Sequence, residues 1–328
     1  MLITNENKAL RINRQLTLLL HYLYMHEYRF TTISPASHQL VNCRSSNLMG
    51  NTLTDIFGWN RTFKLTDLDS DLSDLMHSAE ILQEVHNGWK SLYRVSSLDN
   101  LLFYHSGFPT VENDAVFFGP DTYRFAQALN QYIAQHSTNL FNQNDQSIST
   151  AVDIGTGSGV GAAIMTLAFP QANIIALDIN DAALNLAGIN FAAADLHQIV
   201  CMKSNLLNNV EGNFDLIVAN PPYLLDESLR AYRHGGGEMG AGLSIDIVDA
   251  ALERLNPNGT LLLYTGVAII DGHDAFLSAV TQKLEFAHVN YTYSEIDPDI
   301  FGEELAKDAY DNVDRIAAVV LIVYKHPA

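Results

Sequence analysis

With 328 residues, 48% of them hydrophobic, the chain suits two domains of ordinary globular composition and is too long for one small core. Two cysteines, Cys43 and Cys201, exclude a disulfide framework and a cysteine zinc cluster, so a cytoplasmic protein with no bound metal is expected. The net charge of −19 is uneven (10 basic and 14 acidic residues over 1–145, 8 and 23 over 146–328), and no basic stripe stands out to neutralise phosphates, which argues against a nucleic-acid partner without excluding one.

Residues 5–30 read as a helix. Their apolar run Leu16–Met25 follows Arg11 and Arg14 and is interrupted by His21. It is too short for a membrane span, and no convincing small-residue cleavage site follows, so it reads as an amphipathic helix. Residues 51–58 and 70–83 read as two further helices with Asp and Ser available as caps. Lys90–Ser96 and Leu101–His105 pair as strands across Leu98-Asp99-Asn100. Helix, helix and hairpin in that order resemble a winged-helix domain, a module for acceptor recognition, protein contact or nucleic-acid binding. This gives an N-terminal domain over 1–110 and a second domain over 111–328. The polar stretch Gln135–Ser149 reads as a loop before the core of the second domain.

That core begins with Ser149–Ile154 as a strand, Gly155-Thr156-Gly157-Ser158-Gly159 as a turn, and the start of a helix at Val160. Glycines let backbone approach a ligand, and a helix N-terminus supplies free N–H groups and partial positive charge. The dinucleotide pattern G-x-G-x-x-G fails from Gly155, because residue 160 is Val. The better fit is G-x-G-x-G preceded by Asp153, which suits a ligand with a charged amino-acid tail. Asn173–Asp178 is a second strand, and its terminal acid lies 23 residues after Gly155, where a carboxylate can accept both hydroxyls of a ribose. Val200–Lys203 is a third strand, followed by Ser204-Asn205, whose side chains can meet an adenine edge.

Phe214–Ala219 is a fourth strand, and Asn220-Pro221-Pro222-Tyr223 stops it. Two prolines cannot continue a ladder, since neither has an N–H and each restricts the residue before it. They leave an amide side chain, unpaired carbonyls and an aromatic ring at the C-terminal edge of the sheet, where ligands bind in open α/β folds. The Asn220 oxygen and the Pro221 carbonyl together can hold an NH2 group, with Tyr223 stacked on its π-system. Beyond it, helix Ser244–Leu255, strand Thr260–Thr265, a helix near Asp271–Leu284 and strands Phe286–Tyr293 and Arg315–Tyr324 complete seven strands. His234, Tyr223 and Glu238 are the nearest proton acceptors in sequence. The run Gly235-Gly236-Gly237 reads either as a substrate-side lid or as a tight turn.

On VDIGTGSGVGA, IIALDIN and FDLIVANPPY, the chain from about 115 to 325 resembles the class I S-adenosylmethionine-dependent methyltransferases of the NPPY type. Those families include release-factor glutamine and adenine-N6 methyltransferases, and relatives ending in NPPF methylate guanine in ribosomal RNA. VFFGPDTYRF, RHGGGEMGAGLS and EIDPDIFGEELA resemble a less characterised bacterial group of the same superfamily. The resemblance implies an α/β, seven-stranded, doubly wound Rossmann-like domain, mostly parallel with an antiparallel final strand. It implies S-adenosylmethionine as cofactor, with Gly155, Gly157 and Gly159 along its methionine and ribose, Asp153 towards its amino group, Asp178 on the ribose hydroxyls and Asn205 beside the adenine. It implies that Asn220, Pro221 and Tyr223 grip the acceptor nitrogen. Many relatives carry Asp at the Asn205 position. Gly119-Pro120-Asp121-Thr122 also departs from the Arg-Pro-x-Thr-Glu segment of the release-factor enzymes.

The leading expectation is N-methylation of a protein glutamine side chain or of a small molecule. A base in RNA or DNA is the alternative acceptor, flipped out onto Tyr223 if it is embedded. A non-catalytic adaptor keeping the fold is a reading from another class, against which intact Asp178 and Asn220 argue. A nicotinamide oxidoreductase is disfavoured by the glycine spacing and by NPPY. No membrane partner is expected, and the oligomeric state is left open.

Overall fold

Leu16, Leu19, Leu20 and Leu23 recur at the spacing of one helix face, and they are the buried stripe of helix α1 (Leu2–Met25). The structure, a computed structural model, describes residues 2–141, 147–226, 230 and 232–327. Helix α2 (Pro35–Asn42) was not foreseen, although Ser34 caps it and Pro35 opens it. Where a helix was expected over 51–58 there is a single wide turn, Thr54–Gly58, that buries Ile56 and Phe57. Helix α3 (Ser70–Ser78) is capped by Asp69 and ends five residues early. Glu80 then turns at φ 55° into strand β1 (Leu82–Val85). Strand β1 pairs with β2 (Gly88–Ser91), and β3 (Tyr93–Leu98) pairs with β4 (Leu101–Ser106). Lys90 and Ser91 therefore belong to a separate hairpin, and this region has two hairpins where the sequence suggested one.

Helix α4 (Pro120–Phe141) corrects another expectation. It takes in the first seven residues of the polar stretch 135–149 that read as a loop; residues 142–146 lie outside the described residues.

The second half alternates strands and helices: β5 (Thr150–Ile154), α5 (Val160–Ala168), β6 (Asn173–Asp178), α6 (Asp181–Ala193), β7 (Val200–Lys203) and β8 (Phe214–Ala219). Then come α7 (Gly242–Arg254), β9 (Leu255–Ile270), β10 (His273–Asp274), α8 (Ala275–Phe286), β11 (Asn290–Asp297) and β12 (Arg315–Tyr324). The sheet order is β11-β12-β9-β8-β5-β6-β7, with β10 folded back onto β9. Strands β5, β6, β7, β8 and β9 run parallel and β12 runs antiparallel to both its neighbours, the seven-strand arrangement expected. All six residues of β8 are buried, as a central parallel strand covered on both faces requires. Strand β9 begins five residues before the expected Thr260, because Phe214 pairs with Leu255 and Leu216 with Thr260 across an outward bulge at Asn256–Gly259.

The N-terminal elements share α6 with this sheet. Ala183, Leu186 and Ile189 of α6 sit in the same buried cluster as the α1 leucines. The Asn190 carboxamide accepts from Tyr104 N at 2.9 Å and donates to Ser158 O at 2.9 Å, tying β4 to the turn before α5. No helix among the described residues is long and apolar enough to cross a membrane.

Candidate active site

The end of β5 is a built turn. Gly155, Gly157 and Gly159 have φ of 68°, 54° and 93°, left-handed values that favour glycine. Their surroundings differ. A Cβ at Gly155 meets nothing within 4 Å, whereas one at Gly159 would lie 2.5 Å from the Phe191 ring. Gly155 and Gly157 thus border open space, and Gly159 packs α5 against α6.

Asp153 lies under the turn and is buried. Its Oδ2 accepts from Thr156 Oγ1 at 2.7 Å and from Ala162 N at 3.0 Å, clamping the turn to the first turn of α5. Burial pushes its carboxyl up to about 6, partly offset by these two bonds. Asp178, at the end of β6, accepts from Gly157 N at 3.0 Å and from Asn180 N at 2.9 Å, one bond on each oxygen. Burial raises its pKa as well. Each oxygen keeps capacity for a further donor. Asn205 is exposed just after β7.

At the end of β8 the tetrapeptide turns its aromatic ring inward. Tyr223 is buried, packs edge-on to Phe301 with ring centroids 6.0 Å apart, and lies so close to Gly266 that a Cβ there would sit 2.2 Å from the ring. Its hydroxyl is buried with no hydrogen-bond partner, in the field of Asp121. Asp121, in the first turn of α4, accepts from the Tyr264 hydroxyl at 2.6 Å and from Arg124 Nη1 at 3.3 Å, both on Oδ1.

The glycine-rich segment lies against the tetrapeptide. A Cβ on Gly235 would fall 1.9 Å from Gly240 O and 2.7 Å from Tyr223 Cα, and one on Gly240 would fall 2.1 Å from Tyr223 O. These glycines press backbone against the backbone of the tetrapeptide and brace it. Leu224 N donates to Arg233 O at 3.1 Å and Gly235 N to Leu224 O at 2.9 Å. Arg233 pairs with buried Glu304, which also holds Lys307, and Arg230 pairs with Asp226. The Tyr310 hydroxyl accepts from Leu225 N at 2.8 Å. Together these bonds fasten the loop after Tyr223 to the segment between β11 and β12.

One cleft collects the predicted residues. Asp153, Gly155, Gly157, Asp178, Asn205, Asn220, Pro221 and Tyr223 all line it, and Gly159 stands behind it. Its empty space, open mouth included, is about 1370 Å³. His234, offered by the sequence as a proton acceptor, does not line the cleft; its Nδ1 takes the Asp226 N–H at 3.3 Å. The Glu238 side chain lies outside the described part of the structure. The lining also includes Phe117, Asp121, Thr122, Tyr232, Arg233 and Phe301, none given a role from sequence. All six fall within or beside the three segments set apart above as belonging to a less characterised group, which was the available signal.

Residues 133–293 match the family model described as methyltransferase small domain. The chain is 38% identical over 133 residues to the ribosomal protein uL3 glutamine methyltransferase of Neisseria gonorrhoeae, covering 37% of this chain and 44% of that protein. It is 34% identical over 133 residues to the release factor glutamine methyltransferase of Koribacter versatilis, covering 37% and 47%. Among solved structures it is similar to M. jannaschii TYW2 in complex with AdoMet, with 12% identity, a TM-score of 0.49 and coverage of 75% of this chain and 93% of that one. The chain spans about half the length of the curated relatives it matches.

Proposed function

We propose that the chain is an S-adenosylmethionine-dependent N-methyltransferase whose acceptor is a glutamine side chain of a protein; the match of residues 133–293 to the methyltransferase small domain model supports the enzyme class. The observation that carries this reading is the joining, in one cleft, of an open glycine turn, a ribose-competent carboxylate and a proline-stopped strand end. The named specificity of the curated relatives for glutamine supports the acceptor class.

The residues present fit the cofactor. The space over Gly155 is free, and Asp178 is fixed by two backbone N–H groups with lone pairs to spare for ribose hydroxyls. Bound S-adenosylmethionine supplies an electrophilic methyl group on sulfonium. An amide nitrogen is a poor nucleophile, because its lone pair is delocalised into the carbonyl. Asn220 and Pro221 line the cleft, and in this reading the Asn220 Oδ1 and the Pro221 carbonyl accept its two N–H hydrogens. They orient the nitrogen and stabilise the positive charge that grows on it, which is electrostatic preorganisation with the sign reversed. The N-terminal elements select the acceptor in this reading, since none of the cofactor residues lies in them.

Transfer of labelled methyl groups to a fractionated cell extract, followed by complete enzymatic digestion, tests the proposal. Protease-sensitive label recovered as N-methylglutamine is the expected result. Label lost to nuclease would move the acceptor to nucleic acid. No transfer to any fraction, together with no binding of S-adenosylhomocysteine, would remove the methyltransferase reading.

A further inference from the structure

Methylating an amide nitrogen leaves one proton too many, and the cleft must dispose of it. Among the described residues its lining holds three carboxylates, Asp121, Asp153 and Asp178, and no histidine. Asp153 Oδ2 is taken by Thr156 and Ala162, behind the glycine turn. Both oxygens of Asp178 accept backbone N–H groups at the opposite strand end. Asp121 differs from both. It stands beside Tyr223, its described side-chain bonds converge on Oδ1, and it belongs to α4, outside the motifs that carry the cofactor reading.

Resting on the N-methyltransferase reading above, we infer that Asp121 is the proton acceptor of the transfer. The nitrogen lone pair forms the N–CH3 bond while the CH3–S bond breaks, its electron pair passing to sulfur to give the neutral thioether. The N–H pair then returns to nitrogen, and the proton goes to Asp121 Oδ2. The groups around Asp121 suit this task. Tyr264 of β9 donates to Oδ1 and holds the carboxylate in one rotamer. Arg124, one turn on in α4, is shared with Asp297 at the end of β11, which bonds it at 2.7 Å, so only part of its charge acts on Asp121. Tyr223 packs a neutral ring and hydroxyl against it from the strand end. Burial accordingly leaves the carboxyl above its ordinary range, a better base than an exposed aspartate.

The test uses the full chain, labelled S-adenosylmethionine and the extract fraction that the wild type methylates. Asp121→Asn keeps an acceptor for the Tyr264 hydroxyl and removes the base. Its single-turnover rate at neutral pH should fall roughly a hundredfold or more, in the range of general-base losses. Its calorimetric affinity for S-adenosylhomocysteine should be unchanged. The wild-type rate should decline on the acid side, as the raised carboxyl takes up its proton, and Asp121→Asn should lack that limb. Asp121→Glu should recover part of the rate and restore the limb. A rate for Asp121→Asn within about threefold of wild type, with the same acid limb, overturns the proposal while leaving the methyltransferase reading intact. If Asp121→Asn fails to fold, the wild-type profile decides, and a rate flat on the acid side overturns the proposal. A wild type that transfers no methyl group ends both readings.

Discussion

The two ends of the cleft are made differently. The cofactor end is local: within 26 residues, Asp153 to Asp178, two carboxylates bond to the glycine turn or to the helix that follows it, and three left-handed glycines complete it. The acceptor end is assembled from afar. Tyr223 is held by Gly235 and Gly240 from one segment, by Gly266 from β9 and by Phe301 from the stretch before β12, with Asp121 facing it from α4. The partner that sets an enzyme apart is met by surfaces that only the finished fold brings together.

The largest effect expected from breaking either end is at Asn220. Asn220→Ala removes one preorganised acceptor of a nitrogen N–H and should lower turnover roughly a hundredfold or more. Binding of S-adenosylhomocysteine should hardly change, because β8 and both prolines still shape the strand end. Near-wild-type single-turnover rates would mean that the tetrapeptide is a turn and nothing more.

Glycines separate the two ends with opposite readouts. Gly240→Ala puts a methyl group against Tyr223 O at a φ of 82°, so it should cost about 2 kcal/mol or more of stability and displace the tetrapeptide. Gly155→Ala meets no protein atom and carries only the left-handed backbone cost, about 1 to 2 kcal/mol, yet it fills the space assigned to cofactor. Thermal unfolding with and without S-adenosylhomocysteine distinguishes them. Gly240→Ala should lower Tm and keep the ligand-induced shift, and Gly155→Ala should lower Tm less and lose that shift. Identical behaviour of the two variants would erase the distinction between a packed and an open glycine.

Asp178→Ala sharpens the cofactor end alone. It removes the acceptor for Gly157 N and Asn180 N along with both proposed ribose bonds. Affinity for S-adenosylmethionine and S-adenosylhomocysteine should fall more than tenfold, about 1.4 kcal/mol or more. Tight binding of NAD by the wild type with none of S-adenosylhomocysteine would refute the assignment of the whole end.

This contrast also explains what was legible in the sequence. The alternation of β5, α5, β6 and α6, the acid at Asp178 and the stop at Asn220 are written in short-range residue types, and each has its place in the structure. The resemblance treats the three glycines alike, and it is Phe191, 32 residues on, that sets Gly159 against a neighbouring helix. The hairpins over 82–106 were merged because 90–96 reads as one uninterrupted run, while the break within it depends on Ser91 Oγ bonding the Tyr93 backbone. Asp121 and Arg233 were marked only by the segments they lie in, with no role attached to either. Their partners Tyr264 and Glu304 lie 143 and 71 residues away, and only the closing of the sheet brings them near.

The smallest effect expected is at Tyr223, and it tests how the acceptor end uses its ring. The hydroxyl is buried, makes no hydrogen bond and faces the field of Asp121. An unsatisfied buried hydroxyl contributes nothing through its polarity, so its removal relieves a desolvation cost. Tyr223→Phe should therefore match or slightly exceed wild-type stability and turn over within a few-fold of it. Tyr223→Ala is the contrast, since it empties the space against Gly266 and Phe301 and should cost about 3 to 5 kcal/mol, with turnover lost as the strand end collapses. A tenfold or larger loss of turnover in Tyr223→Phe at unchanged Tm would place the hydroxyl on the path of the proton. Asp121 would then receive that proton through Tyr223 rather than from nitrogen.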